Sequence, residues 1–132
     1  MVNMKLTKKI KPEFIDGRGS ITKLLDDGKT NIKSILLITS NKGSVRSNHY
    51  HKKDAHYIYM VSGKMEYHEK PVRGELKPKK VIVNAGDIIY TPPMAIHTTK
   101  FLEDSVFMAF SIKSRNQKAY ESDTIRVPNL IK

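Results

Sequence analysis

The sequence contains no cysteine and no long hydrophobic run. Without cysteine, the 132-residue chain can form no disulfide, no thiolate metal site and no cysteine nucleophile. No apolar run approaches the roughly 20 residues that a membrane-spanning helix needs. The lysine-rich residues 1–11 lack the long apolar centre of a secretory signal. We therefore predict a cytoplasmic protein that does not interact with membranes.

Acidic residues are scarce relative to basic ones. The chain has 24 Lys and Arg against 13 Asp and Glu, which gives a net charge of +11 and a pI near 9.8. This excess fits a lysine-rich solvated surface, a basic rim that attracts a phosphorylated small molecule, or a nucleic-acid-binding face. The basic residues are spread along the chain without a recognition motif, so we predict no nucleic-acid partner.

Amphipathic helical patterns are also absent, and short apolar runs with a period of two replace them. Turn residues separate these runs, and the length fits one domain over residues 1–132. The pattern predicts an all-β fold with antiparallel strands and little or no helix, either a closed barrel or a double-sheet jelly roll. The predicted strands are residues 21–25, 32–39, 44–50, 56–62, 64–69, 81–84, 87–91, 105–113 and 124–127.

Four of the five histidines have a spacing that favours a shared site. His49 and His51 project from the same face of a predicted strand, and a four-residue turn separates them from His56 on the next strand. His97 follows a segment that two prolines stiffen. Imidazoles presented by rigid elements can converge on one metal ion, so we predict metal binding by at least three of the four. His68, between glutamates on a polar strand, is predicted to be exposed and outside the site.

Two segments resemble the two sequence motifs of the cupin superfamily. Residues 43–63 contain Gly43, His49-Tyr-His51 and Gly63, and residues 86–97 contain Gly86, Pro92 and His97. The resemblance implies a cupin jelly-roll barrel that holds a divalent metal on His49, His51 and His97. The sequence departs from the motifs at two positions, where His56 replaces a glutamate and Met94 replaces a glycine.

The replacement of glutamate by His56 changes the chemistry of the predicted site. As a fourth ligand, His56 would complete a neutral four-histidine set, which favours Zn, Ni, Fe, Co or Cu over Mg or Ca. Alternatively, His56 stands back as an acid–base group beside a three-histidine metal. If no metal binds, His51 or His49 becomes the general base.

Three further segments resemble the nucleotide-sugar 3,4-ketoisomerase and epimerase cupins. They are residues 14–21 (Phe-Ile-Asp-Gly-Arg-Gly-Ser-Ile), residues 46–52 (Arg-Ser-Asn-His-Tyr-His-Lys) and residues 120–126 (Tyr-Glu-Ser-Asp-Thr-Ile-Arg). This resemblance implies an isomerase or epimerase acting on a nucleotide-linked sugar in surface-polysaccharide synthesis. The full histidine set leaves open a metal-dependent dioxygenase or decarboxylase acting on a small organic acid or diketone. A non-catalytic sugar- or metal-binding cupin is the third possibility.

Several residues outside the histidine set are candidates for binding or catalysis. A diphosphate needs cations at the cavity mouth, and Arg46, Lys52 and Lys100 are predicted to bind the substrate, although Arg46 faces away from His49 unless a bulge intervenes. Tyr90 is the predicted tyrosine for proton transfer, since strand parity places the tyrosines at 50, 57 and 59 opposite the histidines. Asp16 and Arg18 are expected to pair within a turn.

The chain is also predicted to form a homodimer. Edge strands expose unpaired backbone groups that need cover, and the outward Tyr57 and Tyr59 and the apolar N-terminal strands offer a surface for it. Members of the resembled family are commonly dimers.

Overall fold

Two antiparallel sheets face each other in the computed structural model, which describes residues 5–74 and 77–131. The predicted all-β jelly-roll fold is confirmed, and its one described helix has seven residues. The elements are β1 (Lys5–Thr7), β2 (Phe14–Asp16), β3 (Gly19–Ile21), β4 (Ser34–Ser40), β5 (Val45–His51), β6 (His56–Ser62), β7 (Lys64–Pro71), β8 (Lys79–Asn84), β9 (Ile88–Thr91), β10 (Ala95–Phe101), β11 (Ser105–Ser111), α1 (Gln117–Asp123) and β12 (Thr124–Arg126).

The first sheet has the strand order β1-β9-β6-β11-β4 and the second has the order β12-β5-β10-β7-β8. Alternate residues of the facing strands point inward, as the period-two pattern predicts. They form one apolar core, in which Phe101 stacks on Phe107 with ring centroids 5.4 Å apart. The core residues are Ile58, Met60, Met65, Tyr67, Val83, Ile89, Phe101 and Phe107.

The N-terminal region differs from its prediction. Instead of one strand at residues 21–25, the chain forms the separate hairpin β2–β3. In its turn the guanidinium of Arg18 donates to the Asp16 carboxylate at 2.6 and 3.0 Å, as expected. Leu24 and Leu25 leave the hairpin and line a hollow on the outside of the first sheet. Their apolar side chains are thus covered by packing without strand pairing.

Strand β10 is not among the predicted strands. Its sequence, Ala-Ile-His-Thr-Thr-Lys-Phe, lacks the apolar alternation that marks the other strands, yet its first five residues are all buried. The strand lies at the centre of the second sheet, between β5 and β7, and carries His97. Because its buried residues include two threonines and a histidine, a hydrophobicity pattern does not detect this strand.

A bulge in β5 decides which of its side chains face the interior. Ser47 and Asn48 have φ angles of 78° and 59°, a left-handed conformation in which asparagine is enriched. The register against β10 shifts here, so that His49 pairs with His97 and Ser47 pairs with Thr98. The Thr98 hydroxyl donates to Asn48 Oδ1 at 2.6 Å, which holds the extra residue in place.

No helix within the described ranges is long and apolar enough to cross a membrane. Residues 70–80 include the end of β7 and the start of β8, and residues 75 and 76 between these strands lie outside the described residues.

Candidate functional site

Three of the predicted metal ligands converge inside the barrel. His49 and His51 point inward from β5, and His97 does so from the neighbouring β10. Each offers a ring nitrogen within 4.8 Å of the others'. All three are enclosed, with exposed fractions of 9, 2 and 3%.

Hydrogen bonds fix the tautomers of two of these histidines. His97 Nδ1 lies 3.1 Å from the Ala95 carbonyl oxygen, which only accepts, so Nδ1 carries the proton. The Thr124 hydroxyl donates to the Tyr120 carbonyl at 2.7 Å and therefore accepts from His51 Nδ1 at 3.2 Å. Both rings thus keep an unprotonated Nε2.

Burial makes the three imidazoles neutral. It lowers the pKa of His49 to about 3 and that of His51 to about 4, and the positive charges of neighbouring groups act in the same direction. Burial likewise lowers the pKa of His97 well below its usual range. His51 Nε2 is buried without a hydrogen-bond partner in the described structure. A transition metal requires neutral rings with an available nitrogen; His51 offers an unpartnered Nε2, and each of the three rings has a nitrogen within 4.8 Å of the others', so the three residues fit a metal ion.

His56 stands apart from this three-histidine group and pairs with a carboxylate. Its Nε2 lies 2.9 Å from Oδ2 of Asp54, of which only 5% is exposed. Burial acts to raise the pKa of Asp54, but the hydrogen bonds from His56 and Ala55 N and the attraction of His56 and His51 together outweigh it, and the net shift is downward. The His56 ring is 4.7 Å from that of His51, centroid to centroid. His56 Nε2 is thus taken up by Asp54, which gives this residue the surroundings expected of the acid–base alternative.

The histidines open onto a cavity of about 150 Å³ that is lined by His49, His56 and His97 together with apolar side chains of both sheets. Arg46 also lines it, because the β5 bulge turns this residue inward opposite Thr99. Its guanidinium donates to Ser40 Oγ at 2.6 Å and to the Thr39 carbonyl at 2.9 Å.

Arg115 and Tyr120 complete the cavity wall, and sequence reasoning missed both. The Arg115 guanidinium lies 3.9 Å from the Tyr120 ring centroid, and that ring lies 5.5 Å from the His51 ring. Arg115 lies in the segment after β11, and Tyr120 lies in α1. Both precede β12, which holds this part of the chain against the barrel by pairing with β5. The resemblance at residues 120–126 was the available signal for Tyr120, whereas Arg115 carried none.

A buried polar network supports His97 from the side of β7. The Tyr67 ring stacks on His97, and its hydroxyl donates to Glu69 Oε1 at 2.6 Å and lies 2.9 Å from Thr91 Oγ1. Burial raises the pKa of both Tyr67 and Glu69. The network fixes the inner wall behind His97.

Four other residues do not join the cavity. Tyr90 faces outward and packs on Tyr57 with ring centroids 4.8 Å apart, because residues 89 and 91 of its strand take the inward positions. Lys100 pairs with Glu66 in the register of the second sheet and faces outward. Lys52 lines a separate hollow. His68 lies outside the site as expected, but it is not exposed: its side chain is 13% accessible and bonded to Glu66 at 2.7 Å.

Comparison with known protein families identifies the fold family. The profile of the cupin domain matches residues 36–113, which is more than half of the chain and includes every histidine described above. The chain belongs to the cupin domain family. None of the curated proteins is similar enough in sequence to count as a relative of this cupin.

Solved structures share the fold of this cupin over nearly its whole length. A variant sugar 3,4-ketoisomerase from Thermoanaerobacterium thermosaccharolyticum, in complex with TDP, has a TM-score of 0.75 and 24% identity, with 96% of this chain and 89% of that chain covered. A 3,4-ketoisomerase from Helicobacter canadensis has a TM-score of 0.77 and 20% identity, with coverages of 96% and 92%. The dTDP-4-dehydrorhamnose 3,5-epimerase from Sulfolobus tokodaii has a TM-score of 0.74 and 21% identity, with coverages of 90% and 75%.

Proposed function

We propose that this cupin is an isomerase or epimerase acting on a keto sugar linked to a nucleoside diphosphate. The observation that carries the proposal is the position of His56, which a buried carboxylate orients beside the His51 ring and in the same cavity as His49 and His97. The named activities of the structural neighbours are of this class. Both reactions begin with removal of a proton from a carbon next to a carbonyl.

His56 is the proposed base for this step. The lowered pKa of Asp54 keeps its carboxylate ionised near neutral pH, and an ionised carboxylate only accepts hydrogen bonds. His56 Nε2 therefore carries the proton that it shares with Asp54, and Nδ1 is left as the acceptor. A base held in this way can take a proton from a sugar carbon and return it to a neighbouring carbon on the same face, whereas an epimerisation takes its new proton from a second group on the opposite face.

The cavity wall supplies the other groups that the reaction requires. Loss of the carbon-bound proton places negative charge on the carbonyl oxygen, and positive groups near that oxygen stabilise the enolate. Arg46 and Arg115 are the two guanidiniums of the lining. The Tyr120 hydroxyl takes the role that the sequence assigned to Tyr90, because it is the tyrosine in the lining.

His49, His51 and His97 are proposed to hold one divalent transition ion, of the class Zn, Ni, Fe, Co or Cu. Such an ion supplies a Lewis acid that polarises a carbonyl oxygen. We expect elemental analysis to find about one ion per chain, a sharp loss of metal in His51→Ala, and wild-type metal content in His68→Ala. Equal occupancy in wild type and His51→Ala would exclude the metal site.

Incorporation of solvent deuterium tests the proposed reaction most directly. TDP-4-keto-6-deoxyglucose, the sugar bound in one structural neighbour, is incubated with the protein in D₂O and followed by proton NMR. Deuterium should enter at a carbon beside the keto group. His56→Gln should abolish this exchange, whereas His68→Gln, a matched change outside the cavity, should retain it.

Binding is tested separately from chemistry. A thymidine or uridine diphosphate sugar should raise the melting temperature, and both added salt and Arg46→Ala should weaken the effect because the ligand is anionic. If no nucleotide sugar stabilises the protein and none exchanges deuterium, the proposed activity is wrong.

A second candidate function rests on the size of the cavity and on the three-histidine group. A volume of about 150 Å³ suits a small organic acid or diketone, on which a metal-dependent dioxygenase or decarboxylase would act. Oxygen uptake or carbon dioxide release with such compounds, without any response to nucleotide sugars, would favour this candidate over the first.

A further inference from the structure

A second concave site lies outside the histidine cavity and is rich in lysine. It is a hollow of about 470 Å³ whose lining includes Lys33, Lys52, Lys53 and Lys113; we call these four residues the lysine basin. Tyr120 lines both the basin and the histidine cavity, and no other residue among those that the structure describes lines both. The two spaces thus lie on either side of one aromatic ring.

The four lysines are brought together by backbone hydrogen bonds of the fold. Lys33 and Lys113 flank the paired ends of β4 and β11, where Lys33 N donates to the Ser111 carbonyl at 2.8 Å and Ser34 Oγ donates to the Lys113 carbonyl at 3.0 Å. The positions of these two lysines in the chain are therefore set by the sheet.

Asp123 fixes the turn that carries the other two lysines. Its carboxylate accepts from Lys53 N and from Asp54 N, each at 3.0 Å, and its carbonyl accepts from Lys52 N at 3.0 Å. The second carboxylate of the lining, Asp54, is bonded to His56 and to Ala55 N. Both carboxylates are committed to these partners.

The basin therefore carries an excess of positive charge, since four lysines share its lining with two carboxylates. Within residues 5–74 and 77–131, none of the four ammonium groups has a carboxylate oxygen within 4.0 Å. Several like charges around one hollow repel one another, and a bound polyanion relieves that repulsion. Ala119 and the Tyr120 ring add an apolar wall.

We propose that the lysine basin binds the phosphate groups of an organic polyanion such as a nucleoside diphosphate. Ammonium groups recognise phosphate as point charges with three donors each, and the Tyr120 wall is suited to the organic part. Because the site lies outside the histidine cavity, the proposal goes beyond the proposed reaction and does not require it.

Calorimetric titration with inorganic pyrophosphate, and in parallel with TDP, tests the basin. Lys33→Gln/Lys113→Gln should weaken the binding of both probes at least about tenfold, because it removes two charge-assisted contacts. The control, Lys11→Gln/Lys42→Gln, removes the same charge from exposed positions elsewhere and should change Kd less than about twofold. TDP should bind more tightly than pyrophosphate through its organic part.

Four outcomes would overturn the proposal. They are the absence of pyrophosphate binding by the wild type, equal weakening in both double variants, unchanged binding in the basin variant, and TDP binding no tighter than pyrophosphate. Arg46→Gln locates the probe independently: if it abolishes pyrophosphate binding while the basin variant keeps it, the anion lies in the histidine cavity and the basin is excluded. Deuterium exchange does not enter this test, so the basin and the proposed reaction can fail separately.

Discussion

At the scale of single residues, burial of the cavity histidines makes their protonation unfavourable and keeps their rings neutral. An imidazole buried beside other imidazoles loses its favourable hydration when it is charged, which is why the pKa of His49 falls to about 3 and that of His51 to about 4. The same burial leaves each ring neutral, so that its lone pair is available to an ion or a proton over the whole physiological range. The arrangement is useful only while the rings stay uncharged.

This burial predicts that the metal-free protein loses stability in mild acid. In the unfolded chain these histidines take up protons as the pH falls through about 6.5, whereas in the folded chain His51 stays neutral until about pH 4. The unfolded state therefore binds more protons in this window, and the free energy of unfolding decreases as the pH is lowered. We expect a loss on the order of 2 kcal/mol per buried histidine between pH 6.5 and 5.

Urea unfolding of chelator-treated protein at pH 7, 6 and 5 measures this loss. The interval lies above the usual range of carboxylate pKa values, so the histidines make the largest contribution to it. His51→Gln should reduce the dependence on pH, and His68→Gln provides the control for removal of a histidine outside the cluster. A pH-independent unfolding free energy over this range would contradict the assignment.

The backbone conformation of Met94 has an energetic cost. It occupies the position of the glycine in the second cupin motif, with φ at 60°, and its side chain is 40% exposed. A left-handed non-glycine residue costs about 1–2 kcal/mol, whereas glycine costs about 0.4–1 kcal/mol through the unfolded chain. Met94→Gly should therefore stabilise the protein by about 0.5–1 kcal/mol in urea unfolding.

The matched control for Met94→Gly is Met94→Ala, which keeps the Cβ atom and with it the strain. It should give no gain in stability. A gain of the same size in both variants would show that removal of the exposed methionine side chain, and not relief of backbone strain, is responsible.

At the scale of elements, the sequence predicted best where strands alternate strongly and worst where geometry departs from a simple period. Strand β6 occupies its predicted range, and the spacing of His49, His51 and His97 was enough to anticipate their convergence. The sequence did not predict whether β5 contains the bulge at Ser47 and Asn48, because no pattern of apolar residues marks it. That single insertion decides whether Arg46 faces the cavity or the solvent.

Other parts of the site depend on contacts between distant segments. Tyr120 joins the cavity through the packing of α1 against the β5–β6 turn, and a period along one strand contains no information about such packing. Tyr90 was assigned to proton transfer while its facing was undetermined. Once the register of β9 is known, the inward positions of Ile89 and Thr91 place it outside.

The β6–β7 turn gives a prediction at this scale. Gly63 has a φ of 90°, and a Cβ atom there would lie 2.6 Å from the Asp104 carbonyl oxygen and 2.7 Å from Ser105 Cα. These are backbone atoms of the neighbouring turn and cannot move independently. Gly63→Ala should therefore cost about 2–4 kcal/mol, the sum of left-handed strain and overpacking.

Gly28→Ala separates the two contributions to that cost. Gly28 also has a positive φ, 71°, but a Cβ atom there meets nothing within 4 Å, so only the strain of about 1 kcal/mol applies. Thermal or urea unfolding of the two variants should differ by the packing cost alone. Equal losses of stability in the two variants would mean that the β6–β7 turn accommodates the added Cβ atom without a packing cost.

At the scale of the whole molecule, the outer face of the first sheet is unusually apolar. Its edge strand β4 exposes Ile35 and Leu37, with 59 and 71% of their surfaces accessible. The tyrosines of β6 and β9 continue this face on the other side of β11. An edge strand beside exposed aliphatic side chains favours association with another protein surface.

We propose that this face joins two copies of the chain in a homodimer. Light scattering at micromolar concentration should then give about 30 kDa, twice the 15.1 kDa of one chain. Leu37→Lys should shift the mass to that of a monomer, because a charge at the centre of an apolar interface has no partner there. The control is Ile15→Lys on the β2–β3 hairpin, where 70% of the isoleucine is exposed, and it should leave the dimer intact. Dissociation by Ile15→Lys alone would move the interface to the hairpin, and a wild-type mass near 15 kDa would exclude the dimer altogether.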